Sequence, residues 1–264
     1  AGALPLYLPL VRSLLDESSL DGNRQIGMLL ARGFCEHLSE TAVAATWSSY
    51  LPQVLMAMGH PAPEVCSAAC HCASMAARNK AFAPHASGIA CQAAALVAEA
   101  RGSPGQAPKR GGKAAQCVAD SALSLLVEVL CNHTVSPESD TKLNELWSTW
   151  LKGLPCREDV EAGVHNNRWL LYLAHPPAPC ICGQRGEHFP QVLSLLTDAY
   201  KTPMVDQATS EGICQLMLPY IESNCGTDCD EADLGQSCQQ FSAKGLKKLK
   251  CMFREGRKRA AAGA

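Results

Sequence analysis

Apolar segments with helical spacing recur in pairs along this chain, and that recurrence restricts its folding more than any other feature. The second segment of each pair restarts near residues 20, 62, 113, 157 and 203, at intervals of 42, 51, 44 and 46. An amphipathic helix pair repeated at about 40–47 residues cannot bury its apolar faces alone, so successive pairs must lean on each other. The longest interval contains the Gly- and Pro-rich stretch from Arg101 to Gly112. A closed helical bundle is the competing arrangement, and five restarts in register argue against it.

The pattern is explicit in the residues. Leu4 to Leu15 is apolar and breaks at Asp16–Ser19. Ile26, Leu30, Phe34 and Leu38 recur every four, with Leu29 and Gly33 alongside, which predicts that this face is buried. Trp47, Leu51, Val54, Leu55 and Met58 continue the pattern until Gly59 to Pro63 stops it. A face of small residues follows in Val65, Ala68, Ala69, Cys72, Met75 and Ala76. Further helices are predicted over Phe82–Ala100, around Val118–Val129 and Leu143–Leu151, from Val160 through Leu171, around Phe189–Leu196, and through Val205–Met217. A loop is predicted over Pro176–Gly186. The expected fold is all-α: a HEAT-repeat alpha-alpha superhelix, or solenoid, with first helices outward and second helices lining a concave wall. Residues 1–218 form about five repeats with a flexible loop at 101–112. Residues 219–264 form an acidic and then basic segment ending in a capping helix.

Composition supports helix over strand, because alanine, leucine and cysteine carry the apolar share and only 5% of residues are aromatic. No run of about 18 uninterrupted apolar residues is present, so no membrane span is expected. The chain opens Ala1-Gly2-Ala3-Leu4-Pro5 without an initiator methionine or a basic-then-apolar leader, which suggests a piece of a longer protein. Fifteen cysteines are an odd count, and most sit in helical apolar patterns (Cys35, Cys91, Cys117, Cys131, Cys214). They read as small core residues in a reducing compartment, cytoplasm or nucleus. The net charge of −2 conceals an asymmetry. Residues 1–243 hold 15 Lys and Arg against 24 Asp and Glu, whereas 244–264 hold 8 against 1. An acidic body suits basic partners.

No catalytic motif is present: neither a nucleophile elbow, a zinc-protease motif nor a phosphate loop, so no enzyme activity and no cofactor is expected. Cys66, Cys70, His71 and Cys72 have ligand chemistry, but Cys72 leaves the helical face shared by Cys66 and Cys70, and core packing is the better reading. Cys180 and Cys182 with His188, and Cys225 and Cys229 beside Asp228 and Asp230, also lack a complete ligand set, so no metal is assigned. His60, His133 and His175 read as solvated turn residues. Trp147 and Trp150, at i and i+3, read as core between adjacent repeats, with a partner groove as the alternative. Lys244, Lys247, Lys248, Lys250, Arg254, Arg257, Lys258 and Arg259 make the end basic, and Leu246, Leu249 and Phe253 give it a helical apolar stripe. That helix is read as a cap on the array, with a localisation signal, an RNA strip or a self-inhibiting segment as alternatives.

Two stretches carry a family resemblance. Pro63-Glu64-Val65-Cys66-Ser67-Ala68-Ala69 resembles the opening of a HEAT second helix, with Cys66 in the usual arginine position. The run from Leu146-Trp147 through Trp150-Leu151, Leu154-Pro155 and Glu158-Asp159 to Val164 resembles the C-terminal repeats of the importin-beta (karyopherin-beta) family. The likeness spans roughly residues 20–220, and the basic ending departs from it. It implies a nuclear import receptor with basic cargo such as ribosomal proteins or histones, contacts to nucleoporin Phe-Gly repeats, and release by Ran-GTP. In that family Ran is held mainly by an N-terminal region that this sequence does not include. No membrane and no direct nucleic acid contact is implied. Glu158, Asp159 and Glu161 open a second helix, where acidic residues favour the helix dipole. With Glu64 one repeat earlier, they are also the candidate cargo-binding residues. A static HEAT scaffold for a phosphatase or chromatin complex is the alternative.

Overall fold

A computed structural model of the chain describes residues 4–102, 112–135, 140–225, 238 and 241–263. Among them there is helix and turn but no strand. The helices are α1 (Leu4–Leu15), α2 (Asp21–His37), α3 (Glu40–Thr46), α4 (Leu51–Ala57), α5 (Pro63–Ala76), α6 (Ala83–Arg101), α7 (Lys113–Asn132), α8 (Asp140–Gly153), α9 (Val160–Ala174), α10 (Pro179–Cys182), α11 (Phe189–Ala199), α12 (Gln207–Cys225) and α13 (Ala243–Gly263). The fold is the expected all-α helical-repeat, solenoid-like one. Contacts divide the chain into two compact units, Ala1–Ala162 and Gly163–Ala264.

In the first unit the helices lie in two layers. The second helices α2, α5 and α7 pack side by side in chain order, and the first helices α6 and α8 pack against each other and against α7. Helix α5 makes this possible because its face is small: Ala69, Cys70, Cys72, Ala73 and Ala76 are all fully buried, which lets both neighbours approach closely. Helix α7 is the core of the unit, with Ala122, Leu123, Leu125, Leu126, Val127 and Val129 fully buried. It is long and apolar enough to cross a membrane by composition, as is Lys80–Arg101, but 72% of its apolar window is buried inside the protein, as a core helix requires. Trp150 is fully buried and meets Trp147 edge to face at 6.0 Å, so both tryptophans are core.

Two readings of α2–α4 change. Ile26 and Leu29 are 51% and 60% exposed, and the buried side of α2 is Gly27, Met28 and Ala31 instead. Close approach decides this: a Cβ at Gly27 would lie 2.8 Å from Leu15 Cδ2, so the small side turns toward α1. The segment around Trp47 is broken rather than continuous, with a 3-10 turn at Trp47–Ser49 and Tyr50 outside helical geometry before α4 starts at Leu51, with Pro52 in its first turn. Similarly, the expected loop at 176–186 contains the single turn α10. Of the 101–112 loop, residues 103–111 lie outside the described residues.

The second unit is built on Leu170, Leu193, Leu196, Ile213, Met217 and Ile221, all fully buried. Asn167 Nδ2 ties α9 to the next turn by donating to the Gly163 and Met204 carbonyls, each at 2.9 Å. Helix α13 packs on α11 and α12 through Leu249, Met252 and Phe253. Tyr200 donates to Glu255 at 2.9 Å and Lys201 pairs with the same carboxylate. The acidic stretch with Cys229, Asp228 and Asp230, and the side chains of Cys225, Arg257, Lys258 and Arg259, lie outside the described residues.

Candidate functional site

Gln25, Met28, Leu29 and Arg32 are spaced 3, 1 and 3 residues apart on α2, which places them on one stripe of the helix. Opposite them stand Pro63, Glu64, Ser67, Ala68 and His71 of α5. Ala114 and Cys117 of α7, with Asp159 and Glu161 at the start of α9, complete a groove of about 380 Å³. The groove lies on the layer of second helices within the first unit. Its α5 wall is floored by small side chains, and Leu29 stands exposed at its lip.

Of the four candidate acidic residues, the fold brings Glu64, Asp159 and Glu161 into this groove. Glu158 is not among the lining residues; it lies 3.6 Å from Lys113 Nζ. Two of the three groove acids are already partnered. Arg32 reaches from α2 to both oxygens of Glu161, with Nη1 to Oε2 at 3.1 Å and a second bond from Nη2 to Oε1. That fork-to-fork pairing holds the Glu161 carboxyl below its ordinary range and the guanidinium above its own. His71 Nε2 lies 2.8 Å from Asp159 Oδ2. Burial opposes the Asp159 charge, but the bonds from His71 and from the Ala162 amide (3.0 Å) outweigh it and keep that pKa low. The Ala162 bond is also the N-cap of α9. Glu64 opens α5 and is exposed.

The loop before α9 is fixed from below by a residue the sequence reading passed over. Asp120 is fully buried in α7, and its Oδ2 accepts the amides of Arg157, Glu158 and Asp159 at 2.8, 2.7 and 3.0 Å. Its other oxygen pairs with Arg101, whose side chain is 7% exposed. One carboxylate thereby gathers three converging N–H donors and presents Glu158, Asp159 and Glu161 at a set position. The signal was there: Asp120 is a carboxylate early in a long apolar run that holds one other, Glu128. Arg32 and His71 gave no comparable signal, since their partners are 129 and 88 residues away.

The cysteines read as core divide: Cys214 is buried, whereas Cys35, Cys91, Cys117 and Cys131 are only partly buried. Cys66, Cys70 and Cys72 are fully buried, and the Cys66 thiol donates to the Met58 carbonyl at 2.9 Å. His71, grouped with them in the sequence, turns instead to Asp159. Cys182 is buried, with burial pushing its thiol up to about 11, while Cys180 is exposed. Among the described residues no three His, Cys, Asp or Glu side chains gather as a metal-holding set. His60 and His133 are less solvated than expected: the His60 ring accepts the Ala62 amide at 3.2 Å, and His133 Nε2 bonds the Ala77 carbonyl at 2.6 Å.

A larger groove of about 700 Å³ lies in the other layer, between α6 and α8, lined by Val97, Ala98, Asn144, Ser148 and Thr149 among others. It contains none of the candidate acids. Comparison with protein-family models and with curated proteins finds no match to this chain.

Proposed function

We propose that this chain is a C-terminal portion of a nuclear import receptor that binds basic protein cargo along its second-helix layer. The observation that carries the reading is the groove in which Glu64, Asp159 and Glu161 stand beside an exposed Leu29. Acidic groups next to apolar surface suit a Lys- or Arg-rich segment that also offers aliphatic stems. The groove between α6 and α8 is the place proposed for nucleoporin Phe-Gly repeats, since successive first helices face each other there. Cargo release by Ran-GTP belongs to the same proposal, with Ran contacts lying mainly outside this sequence.

One observation favours the scaffold alternative. Arg32 and His71 already pair with Glu161 and Asp159, so these two acids serve to join α2 and α5 to the start of α9. Binding of a fluorescent Lys/Arg-rich peptide, measured by anisotropy at several salt concentrations, separates the two. The import reading expects binding that weakens with salt. Reversing the less committed acids, Glu64→Lys with Glu158→Lys, should lower affinity about tenfold, at roughly 0.5–1 kcal/mol for each exposed charge. Absence of binding to both the basic peptide and immobilised Phe-Gly repeats removes the import reading and leaves a scaffold.

A further inference from the structure

Two cations from the groove's own walls already sit on two of its acids. Arg32 of α2 bonds both oxygens of Glu161, with Nη1 to Oε2 at 3.1 Å. His71 of α5 lies 2.8 Å from Asp159 Oδ2 through its Nε2. The start of α9 has a separate anchor in the buried Asp120, which accepts the amides of Arg157, Glu158 and Asp159. The Asp120–Arg101 pair is sealed, at 0% and 7% exposure, whereas Arg32 and Glu161 are 21% and 58% exposed. An ion pair open to water gains little from its attraction, so a cation from solution can exchange into it. His71 and Asp159 are more enclosed, at 18% and 16%, but an imidazole is charged only while protonated.

From this arrangement we infer that Arg32 and His71 are built-in competitors of a cationic ligand, and that rising pH releases the His71 half of this autoinhibition. The inference rests on the groove being the site proposed for basic cargo. A ligand guanidinium takes Glu161 only by displacing Arg32, and it meets Asp159 beside whatever charge His71 carries. Glu161 is held low by Arg32, and Asp159 stays low against its burial through His71 and the Ala162 amide, so both remain ionised across about pH 5.5–8. Imidazole is the side chain that ordinarily changes charge in that range. Its loss of a proton removes one positive charge from beside Asp159, and a neutral ring makes only a weaker bond to a carboxylate. Affinity for a basic ligand therefore rises with pH. Other titratable groups surround the imidazole. Arg32 faces it from α2, with Cys35 and Glu36 one turn beyond. Cys117 faces it from α7, one turn after Lys113, and burial and nearby carboxylates push that thiol up. Helix α4 brings no titratable side chain, the α9 start adds Glu158, and Glu64 lies two turns earlier on α5 itself. Because Cys35 is also titratable, replacement of His71 is what decides the source of the pH dependence.

The test follows the anisotropy of a fluorescent, histidine-free Lys/Arg-rich peptide with the folded chain at fixed ionic strength, from about pH 5.5 to 8. Wild-type affinity should rise about two- to fivefold across that range. His71→Gln should bind at the low end as tightly as the wild type does at the high end, and lose the slope. Asp159→Asn, which keeps an N-cap oxygen for the Ala162 amide, should lose the slope as well. Arg32→Gln should tighten binding about two- to fivefold at every pH, while Lys80→Gln, the same charge change outside the groove, shifts it less than about 1.5-fold. A slope that survives His71→Gln, or an Arg32→Gln affinity no tighter than that of Lys80→Gln, overturns this inference alone. Absence of peptide binding by the wild type at every pH removes the proposed cargo site, and this inference with it. The pH series needs no variant: a flat wild-type profile overturns the inference even where Arg32→Gln fails to fold.

Discussion

Replacing Asp120 by Ala tests whether the start of α9 is held from α7 as described. The carboxylate is fully buried, accepts three amides and faces a guanidinium that is 7% exposed. Hydrogen bonds to a charged group contribute about 1.5–3 kcal/mol each, but three on one oxygen do not add independently. Removing one partner of a buried ion pair costs about 3–5 kcal/mol, because the remaining charge is stranded. Burial already depresses the Arg101 pKa, and among the described residues its Nε and Nη1 have no hydrogen-bond partner, so Asp120 is its main compensation there. The expected loss is therefore about 3–5 kcal/mol in urea unfolding followed by far-UV circular dichroism. Exchange of the 157–159 amides should also accelerate. A double replacement, Arg101→Met with Asp120→Leu, removes the stranded charge but leaves the three amides unpaired. It should recover only part of the loss, and the difference from Asp120→Ala measures the guanidinium share. A loss below about 1 kcal/mol for Asp120→Ala, with the 157–159 amides still protected, refutes the anchoring role.

Three further outcomes are expected. The folded Glu161 carboxyl is held low by Arg32; that of Asp159 is kept low by His71 and backbone amides against the opposing effect of burial. Their contribution to stability is complete above about pH 5 and falls as pH drops through their folded values. Glu161→Gln should flatten that acid limb in a pH series of thermal melts; an unchanged limb counts against the pair. Glu255 is held down to about 2 by Lys201, Tyr200 and Cys251, so carboxyl NMR should find it still ionised at pH 3. A midpoint near the ordinary glutamate value would show that α13 is not docked there. Leu249→Ala empties a fully buried site and should cost about 2–5 kcal/mol, releasing α13 to limited proteolysis; an equally resistant helix contradicts the packing described.

The helices were legible because each carries its own periodicity and punctuation: Gly59 to Pro63 ends one pattern and Pro63 opens α5. The burial of Trp150 and of the Cys66–Cys72 face was legible for the same local reason. Which stripe of α2 would be buried was not. Ile26 and Leu29 are the bulky choice, yet Gly27 and Ala31 face inward, because close helix approach selects small side chains and a period of four does not identify the partner. The site divides similarly. Acidic residues at the opening of α9 follow from the helix dipole, a local rule. Their pairing with Arg32 and His71 depends on how α2 and α5 stack against the α9 start, which no window of sequence contains.

If the groove takes basic cargo as proposed, that pairing changes how its selectivity should be understood. If charge alone recruited a basic ligand, all four acids would contribute, and any polycation would serve. Glu161 and Asp159 are instead occupied from within, so a ligand cation reaches them only by displacing Arg32 or His71, at the cost of the bonds it replaces. Glu64 and Glu158 are less committed and draw charge from solution at little cost, with little discrimination. Discrimination must then come from the groove's uncharged lining: the exposed Leu29 at the lip and the Ser67–Ala68 floor. A segment that alternates basic and aliphatic side chains satisfies both demands, whereas a uniformly basic one meets only the first.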